Sequence, residues 1–142
     1  MSETNDEKHP SEELIARLNQ NPQDIEAAVT LGNMYYDHDE AAQSILYYNI
    51  ALDIDPNQPG ARTDMGTMYW KNGNISFAER AFRRVVDEFP GFGNAYLNLG
   101  YLLLHAKNEV KEARWFWQQL VDQYPDEPAA EQAEKLLKET FN

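Results

Sequence analysis

Three glycines recur at one interval. Gly32, Gly66 and Gly100 lie 34 residues apart, each inside a similar short run: Leu31-Gly32-Asn33-Met34-Tyr35, Met65-Gly66-Thr67-Met68-Tyr69 and Leu99-Gly100-Tyr101-Leu102-Leu103. Pro22, Pro56, Pro90 and Pro125 keep the same beat, at intervals of 34, 34 and 35. The one extra residue falls between His105 and Ala113, where a turn absorbs it. A repeat of this length is one supersecondary unit that cannot bury its apolar face alone, so it must stack on copies of itself. The beat therefore excludes most folds before any local structure is read.

Apolar spacing and breaker residues divide each period into two amphipathic helices. The spacing predicts first helices over 24–37, 58–71 and 92–106, and second helices over 41–54, 75–88 and 109–123. Each first helix carries its glycine in the middle, at a cost of about 1 kcal/mol relative to alanine. Three such glycines at one register imply close approach of a neighbouring helix. Asn74 and Asn108 are expected as N-caps, with Gly73 ending the preceding helix in a left-handed conformation. The first repeat has Asp37-His38-Asp39-Glu40 at that place and no glycine, which predicts a turn of different shape. Before the first period, Ser11 to Gln20 with Leu14, Ile15 and Leu18 reads as a half-repeat helix ahead of Asn21-Pro22. After the last, Glu127 to Phe141 sets Ala130, Ala133, Leu137 and Phe141 on one stripe and Glu131, Glu134, Lys135 and Lys138 on the other, the pattern of a capping helix. The Trp115-Phe116-Trp117 cluster lies on the helix that this cap should cover, and is expected in the core.

These residues resemble the tetratricopeptide repeat family over about residues 25 to 126. The family's first-helix signature is met by Leu31, Gly32 and Tyr35, by Met65, Gly66 and Tyr69, and by Leu99 and Gly100 with Leu103 in place of the tyrosine. Its second-helix pattern is met by Ala78, Phe82, Val85 and Pro90, by Ala113, Trp117, Leu120 and Pro125, and by Ser44, Tyr48, Ala51 and Pro56, where serine replaces the usual alanine. Ala28, Arg62 and Tyr96 stand where the family carries a tryptophan. The resemblance implies an all-α, right-handed α-solenoid of helix-turn-helix repeats. Its expected divisions are a disordered acidic tail over 1–10 and a single repeat domain over 11–142. Within that domain come the half-repeat helix 11–22, repeats over 25–58, 59–92 and 93–126, and the capping helix 127–141.

The resemblance also implies that the first helices line a concave groove in which peptides or partner helices lie. Helical spacing places Val29, Thr30, Asn33 and Tyr36, then Thr63, Asp64, Thr67 and Trp70, then Leu97, Asn98, Tyr101 and Leu104 opposite the glycine-tyrosine seam. Tyr36, Trp70 and Tyr101 are the candidate anchors, each with packing against its own helix pair as the competing use. Some relatives clamp the carboxylates of chaperone tails with lysine, arginine and asparagine. Here only Asn33 looks retained, and Val29, Asp64, Asn94 and Asn98 stand where the other groups are expected. At about 5 Å and an effective dielectric near 20, Asp64 against a carboxylate costs roughly 3 kcal/mol, so the chaperone clamp is rejected. A neutral or basic segment suits the groove better.

Charge sharpens that preference. The chain of 142 residues has a formal net charge of −12, and residues 1–64 hold 13 acids against Lys8, Arg17 and Arg62 alone. Phosphate backbones and anionic lipid surfaces would be repelled, so neither nucleic acid nor membrane is an expected partner. The absence of cysteine removes disulfides, thiolate nucleophiles and cysteine zinc sites. Asp37-His38-Asp39-Glu40 lacks the alternating ligands of a calcium loop, and its acids equally favour the start of the next helix, so no metal is expected. His9 falls in the tail and His105 near a helix end, neither with a relay partner, and no phosphate-cradling glycine loop is present. The reading is a non-enzymatic interaction scaffold without cofactor. The polar N-terminus, which carries neither signal nor transit pattern, suggests the cytoplasm. Two alternatives stay open: a self-assembling structural protein that forms homo-oligomers, and an accessory factor in bacterial complex assembly such as cytochrome c maturation.

Overall fold

The computed structural model describes residues 10–141. Among them are eight helices and no strand: α1 (Pro10–Gln20), α2 (Ile25–Asp37), α3 (Ala41–Ile54), α4 (Pro59–Lys71), α5 (Ile75–Glu88), α6 (Gly93–His105), α7 (Val110–Gln123) and α8 (Pro128–Phe141). The acidic tail expected over 1–10 lies outside the described residues save Pro10, which opens α1, a position where its missing N–H costs nothing. Every predicted helix is present, with ends that move by a residue or two.

The fold is the right-handed solenoid of helix pairs. Its tightest pairings are α2 with α3, α4 with α5 and α6 with α7, and each pair stacks on the next through α3–α4 and α5–α6. The mid-helix glycines are what allow the pairs to close. A Cβ on Gly32 would stand 2.5 Å from the Tyr48 ring, and one on Gly66 would stand 2.6 Å from the Phe82 ring. A Cβ on Gly100 would run into the indole of Trp117. Tyr48, Phe82 and Trp117 are fully buried, so each glycine is the socket for the largest buried side chain of its partner helix. Ser44, where the family prefers alanine, is equally buried and donates its hydroxyl to the Gly32 carbonyl at 2.9 Å. The register that carries Ala28, Arg62 and Tyr96 is buried in all three pairs.

Two turn expectations are corrected. Asn108 is not an N-cap: it sits at φ 55°, and Glu109 takes the cap position of α7. Asp39 likewise sits at φ 59°, beside Gly73 at φ 86°. All three turns thus place a left-handed residue immediately before the N-cap. The first turn does not differ from the second, since His38, Asp39 and Glu40 donate to Met34, Tyr36 and Tyr35 just as Asn72, Gly73 and Asn74 donate to Met68, Trp70 and Tyr69. Asp and Asn tolerate the left-handed region better than other residues with a Cβ, which is why glycine is dispensable there. Replacing Asn108 by alanine is therefore expected to cost about 1 kcal/mol, and replacing it by glycine to cost nothing, as read from urea unfolding midpoints. Asn74 does occupy an N-cap, although its side chain makes no capping hydrogen bond.

The two ends are closed differently. At the first, Arg17 of α1 pairs with Asp24 at 3.1 Å and Glu26 at 3.0 Å, while Asp24 also accepts from the Ala27 N–H at 3.0 Å and caps α2. At the other, α8 buries Ala129, Ala130 and Ala133 and sets Leu136, Leu137 and Phe141 against the core of α6 and α7. Phe116 and Trp117 are in that core as expected, but Trp115 is not. It is 54% exposed, its ring perpendicular to that of Phe116, because consecutive helical residues point about 100° apart and three in a row cannot all face one cap.

Candidate interaction groove

Curvature decides which face is concave. The backbones of the first helices approach across repeats, α2 with α4 and α4 with α6, whereas those of α3, α5 and α7 stay apart and α5 reaches α7 only through the long side chain of Arg83, paired with Glu112 at 2.8 Å. The first helices therefore lie on the inside of the bend. The repeat length then sets four rows across that face: Val29, Thr63 and Leu97; Thr30, Asp64 and Asn98; Asn33, Thr67 and Tyr101; Tyr36, Trp70 and Leu104.

The rows are not equally available. Thr63 is corrected from a lining residue to a buried one, with 1% of its surface exposed and its hydroxyl donating to the Pro59 carbonyl at 2.8 Å. Val29 packs on the core of α1–α3, and Leu97 and Leu104 on that of α6–α8, leaving part of each at the surface. Trp70 is partly buried against the third pair, and Tyr36 against the second. Tyr101 is more enclosed than its position in the sequence suggests. It meets the Trp117 ring edge-on at 5.5 Å, stacks near His105, and accepts from Gln132 of α8 at 3.4 Å. Asn98 donates to Thr67 at 3.4 Å and ties two neighbouring repeats together across the groove. Thr30 stays partly exposed and Asn33 exposed.

Asp64 is the electrostatic centre. It lies at mid-row between the neutral Thr30 and Asn98, partly buried, and among the described residues neither a base nor a hydrogen-bond donor partners its carboxylate. Removal from water, with a smaller push from Asp37, raises its pKa from 3.8 to about 6. Lys71, two turns along α4, is held by Asp39 at 2.8 Å instead. Arg62 is buried beneath α4, its Nη2 donating to the Pro56 carbonyl at 3.4 Å and its Nε without a partner.

One contributor had been missed in the sequence. Tyr48 of α3 spans the thickness of its pair, and its hydroxyl donates to Asn33 Oδ1 at 2.5 Å on the inner face. Burial raises its pKa strongly, and Asp64, Tyr36 and Asp37 add to the rise. The only signal was a tyrosine at a register where Phe82 and Trp117 have no hydroxyl. Tyr36 is raised for the same leading reason, burial, followed by the charge of Asp64. The outer face also exposes Leu46, Phe77, Val110 and Trp115 on α3, α5 and α7; Leu46 lines a shallow depression with Ile15, Tyr47 and Ile50, and Phe77 meets Tyr69 edge-on at 5.2 Å.

No helix among the described residues is long and apolar enough to cross a membrane. Residues 63–128 match the family model described as tetratricopeptide repeat. No curated protein matches the chain in sequence. Among solved structures, a crystal structure of MamA is similar at 17% identity and a TM-score of 0.76, over 90% of this chain and 82% of that one. The first TPR of Spaghetti (RPAP3), bound to the HSP90 peptide SRMEEVD, is similar at 20% identity and a TM-score of 0.70, over 84% and 98%. The Arabidopsis OM64 TPR domain is similar at 18% identity and a TM-score of 0.69, over 81% and 94%. At these identities the structural likeness speaks to the fold.

Proposed function

We propose that the chain is a member of the tetratricopeptide repeat family, whose model matches residues 63–128, and a non-enzymatic scaffold whose inner face holds a neutral or basic peptide or helix of a partner protein. One observation carries the reading: α2, α4 and α6 form a continuous inner surface that combines partly exposed Tyr36 and Trp70 with an uncompensated carboxylate at its middle. Amphipathic aromatic side chains supply large contact area at low entropic cost, and such residues dominate binding energy where they occur in interfaces.

The RPAP3 domain is bound to a peptide ending in Glu-Glu-Val-Asp. An acidic tail of that kind is the wrong ligand for this chain, because it would bring like charge to Asp64 at a cost of roughly 3 kcal/mol. The acidic N-terminal half also raises the encounter rate of basic segments, most strongly at low salt. The test is a comparison of two amidated dodecapeptide pools, one basic and apolar and one acidic and apolar, against the full chain at low and physiological salt. The expected result is retention of the basic pool with affinity that falls as salt rises. Retention of the acidic pool alone would contradict the reading.

A further inference from the structure

We propose that Asp64 is the seat of an arginine side chain supplied by the segment that occupies the inner face; this rests on the groove reading above. The carboxylate stands alone in its row. Thr30 and Asn98, at the same register in the neighbouring repeats, are neutral, so the charge is a property of the second repeat and not of the fold. What surrounds it makes the site more acidic. Asp37 of α2 lies within electrostatic reach, and no base of this chain lowers the Asp64 pKa. Tyr36 of α2 and Tyr48 of α3 lie within electrostatic reach of it, yet the Tyr48 hydroxyl is spent on Asn33. The two nearby cations are both engaged elsewhere, Lys71 with Asp39 across the helix turn and Arg62 below α4 on the Pro56 carbonyl.

A desolvated carboxylate of this kind is costly to keep in a folded protein unless something outside the chain compensates it. A guanidinium fits better than an ammonium for three reasons. It is more weakly hydrated and gives up less water on entry; its planar fork offers two parallel N–H donors to one carboxylate; and it stacks on aromatic faces such as that of Tyr36. Asp37 beside Asp64 adds a second acid within the field of the same delocalised cation.

The experiment is a double-mutant cycle. Peptides that shift inner-face amides are selected from amidated dodecapeptides with a central arginine, and each is remade with citrulline, which keeps the shape and removes the charge. Binding to the full chain and to Asp64→Asn is measured by calorimetry, with the amide spectrum of the variant confirming its fold. The expected result is a loss of at least tenfold on changing arginine to citrulline in the parent and little loss in Asp64→Asn. Equal losses in the two proteins, or full affinity of Asp64→Asn for the arginine peptides, would overturn the assignment of Asp64 while leaving the groove reading intact. Failure of every peptide to shift inner-face residues would overturn both.

Discussion

Gly100→Ala is expected to destabilise the protein by about 3 kcal/mol, although alanine is the better helix former. The added carbon would occupy the space of the Trp117 indole, which is fully buried and donates its Nε1–H to the Leu97 carbonyl at 3.0 Å. A ring held at both its face and its nitrogen has nowhere to retreat. Overpacking costs about 1–3 kcal/mol, and loss of the indole hydrogen bond adds about 1–3. The helix propensity of alanine returns only about 1. Gly60→Ala is the control, since its Cβ would find its nearest neighbour, Phe92, at 4.0 Å. That change is expected to be neutral or mildly stabilising. A second control is coupling: in a Trp117→Leu background, Gly100→Ala should lose most of its penalty, because the socket no longer has to receive a ring. Urea unfolding of the parent, the three single variants and the double variant tests both statements. Additive effects of Gly100→Ala and Trp117→Leu would show that the glycine serves something other than the indole.

The second large effect has the opposite sign. Asp64→Asn is expected to stabilise the free protein by about 2 kcal/mol at pH 7.5. The folded pKa of Asp64 is raised from 3.8 to about 6, so the folded state binds this proton more tightly than the unfolded state does. The carboxylate therefore destabilises the fold in full above about pH 6, progressively less as the pH falls, and not at all below about 4. A shift of about two units corresponds to about 3 kcal/mol before screening, and partial exposure of the group reduces it. Other acids titrate in the same window, so the quantity to follow is the difference between parent and variant. It should be largest above pH 7 and vanish near pH 4. A difference that does not change with pH would mean that Asp64 is ionised at no cost, and the case for an external cation would lose its energetic basis. A residue that weakens the free fold yet strengthens binding is the expected mark of a functional site.

The helices were legible because glycine and proline repeat at a fixed interval and the apolar spacing follows. Gly32, Gly66 and Gly100 predicted close helix approach, and Tyr48, Phe82 and Trp117 are the side chains that fill it. The turns were less legible. Glycine is the usual sign of a left-handed residue, so Gly73 was found, whereas Asp39 and Asn108 take the same conformation without announcing it. Trp115 was misjudged because composition suggested a cluster, and helical periodicity overrides composition. Within the groove, a face could be assigned from spacing but depth could not. Thr63 shares a row with Val29 and Leu97, yet it is buried where α4 is covered on both sides. The strained ionisation of Asp64 was invisible for a related reason, since it arises from removal from water and from Asp37 on another helix, and neither is a property of its local sequence.

The most direct test of the account is amide chemical-shift mapping of the full chain during titration with the arginine-bearing peptides. The predicted perturbations follow the inner face, on α2, α4 and α6, and are centred on Tyr36, Asp64, Thr67 and Trp70. Perturbations confined to α3, α5 and α7, around Leu46, Phe77 and Trp115, would place the partner on the outer face and contradict the central claim.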